Sequence, residues 1–111
     1  MTEPRIKAGL WVKMALRLGQ ADGQFAAVLK RGDADAGGVL AVLRSPRGLS
    51  VLSQIRSNEG EAAWLRATGP DPVDQAVVDA YLARQVKFDP DLWILEFETR
   101  TGLPPFDGKI V

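Results

Sequence analysis

The amino-acid sequence predicts an α+β domain: a mostly antiparallel sheet of four to five strands with two helices packed on one face, in the order α-β-β-β-β-α-β. Three observations point there. Residues 7–22 are rich in helix formers and free of proline. Four short apolar runs between residues 25 and 67 are separated by turn chemistry at regular intervals. Residues 71–89 carry an acidic helix start and a proline stop, and an alternating apolar run follows.

Periodicity alone fits residues 7–22 (KAGLWVKMALRLGQAD) to either state. A helix gathers Leu10, Trp11, Met14, Ala15 and Leu18 on a core-facing stripe and sets Lys13, Arg17 and Gln20 opposite. A strand alternates Val12, Met14, Leu16 and Leu18 with Lys13, Ala15 and Arg17 about as well. Length and composition favour the helix, with Gly23 as its stop.

Phe25–Lys30 reads as a strand with apolar residues on both faces, hence interior to a sheet, and is broken by Asp33-Ala34-Asp35-Ala36-Gly37-Gly38. Val39–Arg44 is the second strand, closed by Ser45-Pro46-Arg47-Gly48, where proline falls early in the turn and glycine late. Leu49–Arg56 alternates as a third. Ser57-Asn58-Glu59-Gly60 is a turn, and Ala62–Ala67 around Trp64 is a weaker fourth strand. This spacing predicts an antiparallel meander.

The second helix starts at Asp71 as N-cap, with Pro72 at the first helical position and Asp74 completing an acidic capping box. Val73, Ala76, Val77, Ala80, Tyr81 and Val86 form its apolar stripe, and Asp89-Pro90 stops it. Leu92–Thr99 is then a strand with Trp93, Leu95 and Phe97 on one face, followed by an irregular tail from Arg100. With both helices on one side, the other sheet face, carrying Val28, Val42 or Leu52 according to register, needs the tail or a second subunit to cover it.

Composition bounds the chemistry. The 111 residues read as a single domain, 1–111, with 46% hydrophobic and 25% charged residues. There is no histidine and no cysteine. That removes the usual neutral-pH base, the thiol nucleophile and the best transition-metal ligands, and it suits a reducing cytoplasm. No apolar run is long enough to span a bilayer, and residues 1–4 have no signal-peptide layout. Net charge is zero but split: residues 1–56 hold nine Lys/Arg against four Asp/Glu, and residues 57–111 hold five against ten. The halves either neutralise each other within the fold or present a basic face to an acidic one on another copy or another protein. Zero net charge disfavours a nucleic-acid partner.

Three stretches, Arg31-Gly32-Asp33-Ala34-Asp35-Ala36-Gly37, Ala83-Arg84-Gln85 and Phe88-Asp89-Pro90-Asp91-Leu92-Trp93, stand out together with Trp11-Val12. The chain resembles small bacterial proteins, chiefly alphaproteobacterial, grouped as the domain of unknown function 1491 family. The resemblance spans nearly the whole chain and implies a helix for residues 7–22, then a strand ending in Arg-Gly-Asp. It implies no activity and no catalytic residue.

The ligand or interaction candidates are Arg31, Asp33, Asp35, Arg84, Gln85, Asp89 and Asp91; no catalytic residue, metal site or cofactor is assigned. Arg31-Gly32-Asp33 reads as a strand end and turn rather than an adhesion site. Asp33, Asp35, Asp89 and Asp91 would make an oxygen-ligand site if they converged. The element order echoes restriction-type nucleases, but Asp35 is followed by Gln54-Ile55-Arg56 where those enzymes need Glu-x-Lys. Arg84 is expected to pair with Asp89 or Asp91 or to cap its helix. Trp11, Phe88 and Trp93 are expected in the core, and Trp64 partly exposed at an interface. The favoured function is a non-catalytic cytoplasmic interaction module that associates with itself or with a protein partner. The alternative is a small enzyme or an anion- or metal-binding protein built on carboxylates and arginine, a degenerate nuclease-like core among its forms.

Overall fold

Val39, Ala41 and Leu43 point to one side of their strand and Leu40 and Val42 to the other, and all five are buried. A strand apolar at every position needs cover on both faces, and the computed structural model, which describes residues 6–56 and 62–111, provides it. The elements are α1 (Ala8–Gln20), a 3-10 turn (Ala21–Gly23), β1 (Ala26–Lys30), β2 (Val39–Ser45), β3 (Gly48–Arg56), β4 (Ala62–Arg66), α2 (Gln75–Phe88), β5 (Trp93–Glu98) and β6 (Lys109–Ile110).

The fold is α+β, with a six-stranded sheet ordered β1-β5-β2-β3-β4-β6. The β2-β3-β4 meander is antiparallel as expected, and so is β1 against β5; β1 is an edge strand and not the interior one expected, which leaves Phe25, Val28 and Leu29 exposed. The pairs β2·β5 and β4·β6 are parallel. α2 carries the chain across the sheet so that β5 slots between β1 and β2. The sheet is therefore mixed and has one more strand than expected.

The helices lie on opposite faces, not on one. On the first face Ala8, Val12 and Ala15 of α1 pack with Val39, Ala41, Leu43, Leu52, Trp64, Leu95, Phe97 and Phe106. On the second, Val78 of α2 packs with Leu40, Val42, Leu49, Val51 and Ile94. The bare sheet face expected from the sequence does not exist over β2 and β3: Val42 and Leu52 are both buried, and only Val28, on edge strand β1, stays partly exposed.

α1 is a helix, but its buried stripe differs from the expected one. The small residues Ala8, Val12, Ala15 and Gly19 face the sheet, and a Cβ on Gly19 would collide with the Phe97 ring and the Ala26 methyl. Close approach of helix to sheet selects these small side chains and turns the bulky Leu10, Met14 and Leu18 to solvent. Gln20 at the helix end donates its amide to the Ala26 carbonyl at 3.1 Å, closing part of the β1 edge.

α2 begins three residues later than expected. Val73 is held extended by a reciprocal pair with Leu49, N–H to O distances being 2.7 and 2.9 Å. Asp74 is then the cap, its carboxylate accepting from the Val77 N–H at 3.1 Å. Val78 is the buried anchor, with Tyr81, Leu82 and Val86 half-buried beside it, while Ala76, Val77 and Ala80 are exposed.

Trp64 is 1% exposed, not an interface marker. The tail brings Phe106 against it at 4.7 Å between ring centroids, and Trp11 approaches at 5.5 Å. The expected turn at residues 57–60 lies outside the described residues. Among the described residues no helix is long and apolar enough to cross a membrane.

Candidate interaction site

Two loops carry most of the candidate residues, and their main chains hold each other. A register shift at the end of β1, between Val28 and Lys30, re-aims Lys30. Its ammonium donates to the carbonyls of Pro90 (2.6 Å), Leu92 (3.0 Å) and Arg31 (3.2 Å). The Asp33 N–H donates to the Asp91 carbonyl at 2.9 Å, and the Trp93 indole N–H donates to the Asp33 carbonyl at 2.8 Å. Gly32 and Gly37 allow this approach, since a Cβ on either would run into the Asp91 carbonyl oxygen.

Two of the four candidate carboxylates, those of Asp33 and Asp89, are occupied in shaping these loops. Asp33 accepts from the N–H groups of Asp35 and Ala36, at 3.2 and 2.8 Å. Asp89 accepts from the Asp91 N–H at 3.1 Å. Both are turns in which an aspartate satisfies backbone just beyond itself. Asp35 forms an exposed ion pair with Lys7 at 3.6 Å. Arg31 lies over the Trp93 ring, 5.8 Å from its centroid. Asp33 and Asp91 are thus brought together through their backbones, not as a carboxylate pair. Among the described residues no group of three or more acidic side chains is placed to hold a metal ion.

The remaining candidates stand apart. Arg84 is exposed on α2, and the hydrogen bonds and ion pairs among the described residues include none from it to Asp89 or Asp91. Gln85 is half-buried, and its main-chain carbonyl accepts from the Asp89 N–H at 2.9 Å, ending the helix. The cap is supplied by backbone, which leaves the Arg84 guanidinium no structural task at that carbonyl.

Three features escape a reading of charged motifs. Lys30 is the hub of the loop pair. Phe88, expected in the core with Trp93, is 85% exposed, whereas Trp93 is 5% exposed. α2 ends at Phe88 and the chain turns through Asp89-Pro90-Asp91 before entering the sheet, so Phe88 stays outside. Its neighbours Lys87 and Asp89 were the sequence signal for that. Third, α1 turns an apolar row, Leu10, Met14 and Leu18, to solvent, with Lys13 and Arg17 beside it and no acidic residue in the helix.

Next to that row, between α1 and β1, lies a cleft of about 410 Å³. Val12, Leu16, Val28 and Trp93 give it an apolar floor, and Lys13 and Arg31 stand among its charged lining residues. A second cleft of about 370 Å³ includes Asp22, Arg44, Glu98 and Arg100 in its lining. There Arg44 is already bonded to Glu96 at 3.0 Å and to Gln75 at 2.9 Å.

Fold and surface define a small layered α+β protein whose Asp33 and Asp89 build turns and whose exposed apolar residues include a row on α1 and Phe88 at the α2–β5 corner. The chain belongs to the family of proteins of unknown function DUF1491, whose model matches residues 6–107. A crystal structure of a DUF1491 protein from Caulobacter crescentus is similar, with a TM-score of 0.84 and 28% identity over 96% of this chain and 100% of that one. An NMR structure of a Caulobacter crescentus family member gives 0.85 and 28%, over 98% and 99%. A solution structure of a protein from A. tumefaciens gives 0.77 and 25%, over 96% and 98%. No curated protein matches the chain.

Proposed function

We propose that this protein is a non-catalytic cytoplasmic interaction module that binds a protein partner through α1 and the adjoining α1–β1 cleft. One observation carries the reading: α1 exposes Leu10, Met14 and Leu18 in a row beside Lys13 and Arg17. A contiguous apolar row rimmed by one sign of charge is the composition of a docking surface, and solvent alone gives no return for keeping it. The competing reading, a carboxylate- and arginine-based enzyme or ligand site, loses support because Asp33 and Asp89 are committed to turns and Asp35 to Lys7. A chain free of cysteine is at home in a reducing compartment.

The test has two arms. Thermal denaturation with Mg²⁺, Mn²⁺, nucleotides or phosphate should show no stabilisation. A true ligand at a hundred times its Kd would add about 2.7 kcal/mol, and such a gain abolished by Asp33→Asn would overturn the reading. In cells, a photo-reactive residue replacing Leu10 should give discrete protein adducts that the same residue at exposed Ala83 does not.

A further inference from the structure

Resting on that reading, we propose that the partner is a second copy of this chain. The Phe88–Asp91 corner of each protomer docks in the α1–β1 cleft of the other. The corner is an apolar knob with acids on it: Phe88 projects from the end of α2, Asp89 and Asp91 are exposed beside it, and Pro90 stiffens the turn. The cleft has the opposite character. Its floor is Val12, Leu16 and Val28, and Lys13 and Arg31 add positive charge, Lys7 being paired with Asp35. At about 410 Å³ it falls among pockets that take a small ligand or a side chain.

The corner cannot serve its own cleft. Its main chain is pinned by Lys30 on Pro90 and Leu92 and by Asp33 on Asp91, so Phe88 is held outward. Trp93, two residues beyond the corner, lines the cleft, so the turn that carries the knob runs directly into a wall of the socket. A two-fold axis then pairs each knob with the facing socket, the closed arrangement most homodimers adopt. Charge agrees: Asp89 and Asp91 meet Lys13 and Arg31, acids from the second half of the chain against bases from the first.

The experiment is sedimentation velocity of the full chain from about 1 μM to about 1 mM, at low and high salt. A monomer–dimer equilibrium that weakens with salt is expected. Phe88→Ser, at a position too exposed to matter for folding, should raise the dimer Kd at least about tenfold, as loss of an aromatic anchor does. Lys13→Glu should weaken the dimer, and adding Asp91→Lys to it should restore association. A monomer at every concentration overturns the proposal, and so does a dimer indifferent to Phe88→Ser and Lys13→Glu. Neither result touches the docking role of α1, which stands or falls with the ligand screen and cross-linking above.

Discussion

The indole N–H of Trp93 donates to the main-chain carbonyl of Asp33 at 2.8 Å, across a separation of 60 positions. With the Asp33 N–H on the Asp91 carbonyl, this ties the end of β1 to the start of β5, strands that already pair in the sheet. The Arg-Gly-Asp and Phe-Asp-Pro-Asp-Leu-Trp segments are thus two halves of one clasp. Within it the Asp33 and Asp89 carboxylates accept from the backbone just beyond them.

That clasp separates the two aromatics at its ends. Trp93→Ala empties a buried aromatic site and should cost about 3–5 kcal/mol. Trp93→Phe keeps most of the packing but leaves the Asp33 carbonyl without its donor, for about 1–2 kcal/mol. Phe88→Ala removes a ring already in water and should change stability by less than about 0.5 kcal/mol. Urea denaturation at low protein concentration checks all three. Equal losses for Trp93→Ala and Phe88→Ala would mean that both rings share the core.

The start of α2 gives a similar contrast. Asp74→Ala removes the carboxylate that accepts from Val77 N–H and should cost about 1 kcal/mol. Asp71→Ala, three residues earlier in a segment held extended by Val73 and Leu49, should cost less than about 0.5 kcal/mol. The reverse order would move the helix start back to Pro72.

The sequence made the element types and much of the core legible, because they rest on local pattern. Gly23 closes the 3-10 turn that follows α1, Pro46 and Gly48 frame a turn, and Asp89-Pro90 stops α2 within a residue of the expected place. The unbroken apolar run Val39–Leu43 is the local sign of a sheet covered on both faces. Where β5 inserts was not legible: its place between β1 and β2 follows from a crossover, and no short-range pattern encodes a parallel neighbour. Trp64 is buried for a related, long-range reason. Glu61 and Arg66 beside it suggest an exposed strand, but Phe106, far along the chain, covers the ring. The candidate residues were found as letters and not as roles. Asp33 and Asp89 look like ligands until their neighbours' N–H groups are seen to take them.

Lys30 is the residue on which the clasp depends most and which no motif announces. Its ammonium meets three main-chain carbonyls, two of them from the corner that follows α2. Lys30→Met keeps the length of the stem and removes the donor. The exposed Pro90 carbonyl, reached at 2.6 Å, then takes water instead, and the loss should be about 0.5–1.5 kcal/mol, the net contribution of a typical hydrogen bond. The effect should also be coupled to the indole bond. Because Lys30 and Trp93 hold the same pair of loops, the double variant Lys30→Met with Trp93→Phe should depart from additivity by at least about 0.5 kcal/mol. Hydrogen exchange gives an independent reading, since the Asp33 N–H is protected only while the Asp91 carbonyl stays in place. Faster exchange of that amide in Lys30→Met, with the β2–β3 amides unchanged, would locate the damage in the clasp. An Asp33 amide as protected as in the wild type, together with unchanged stability, would show that Gly32, Gly37 and Trp93 hold the corner without the lysine.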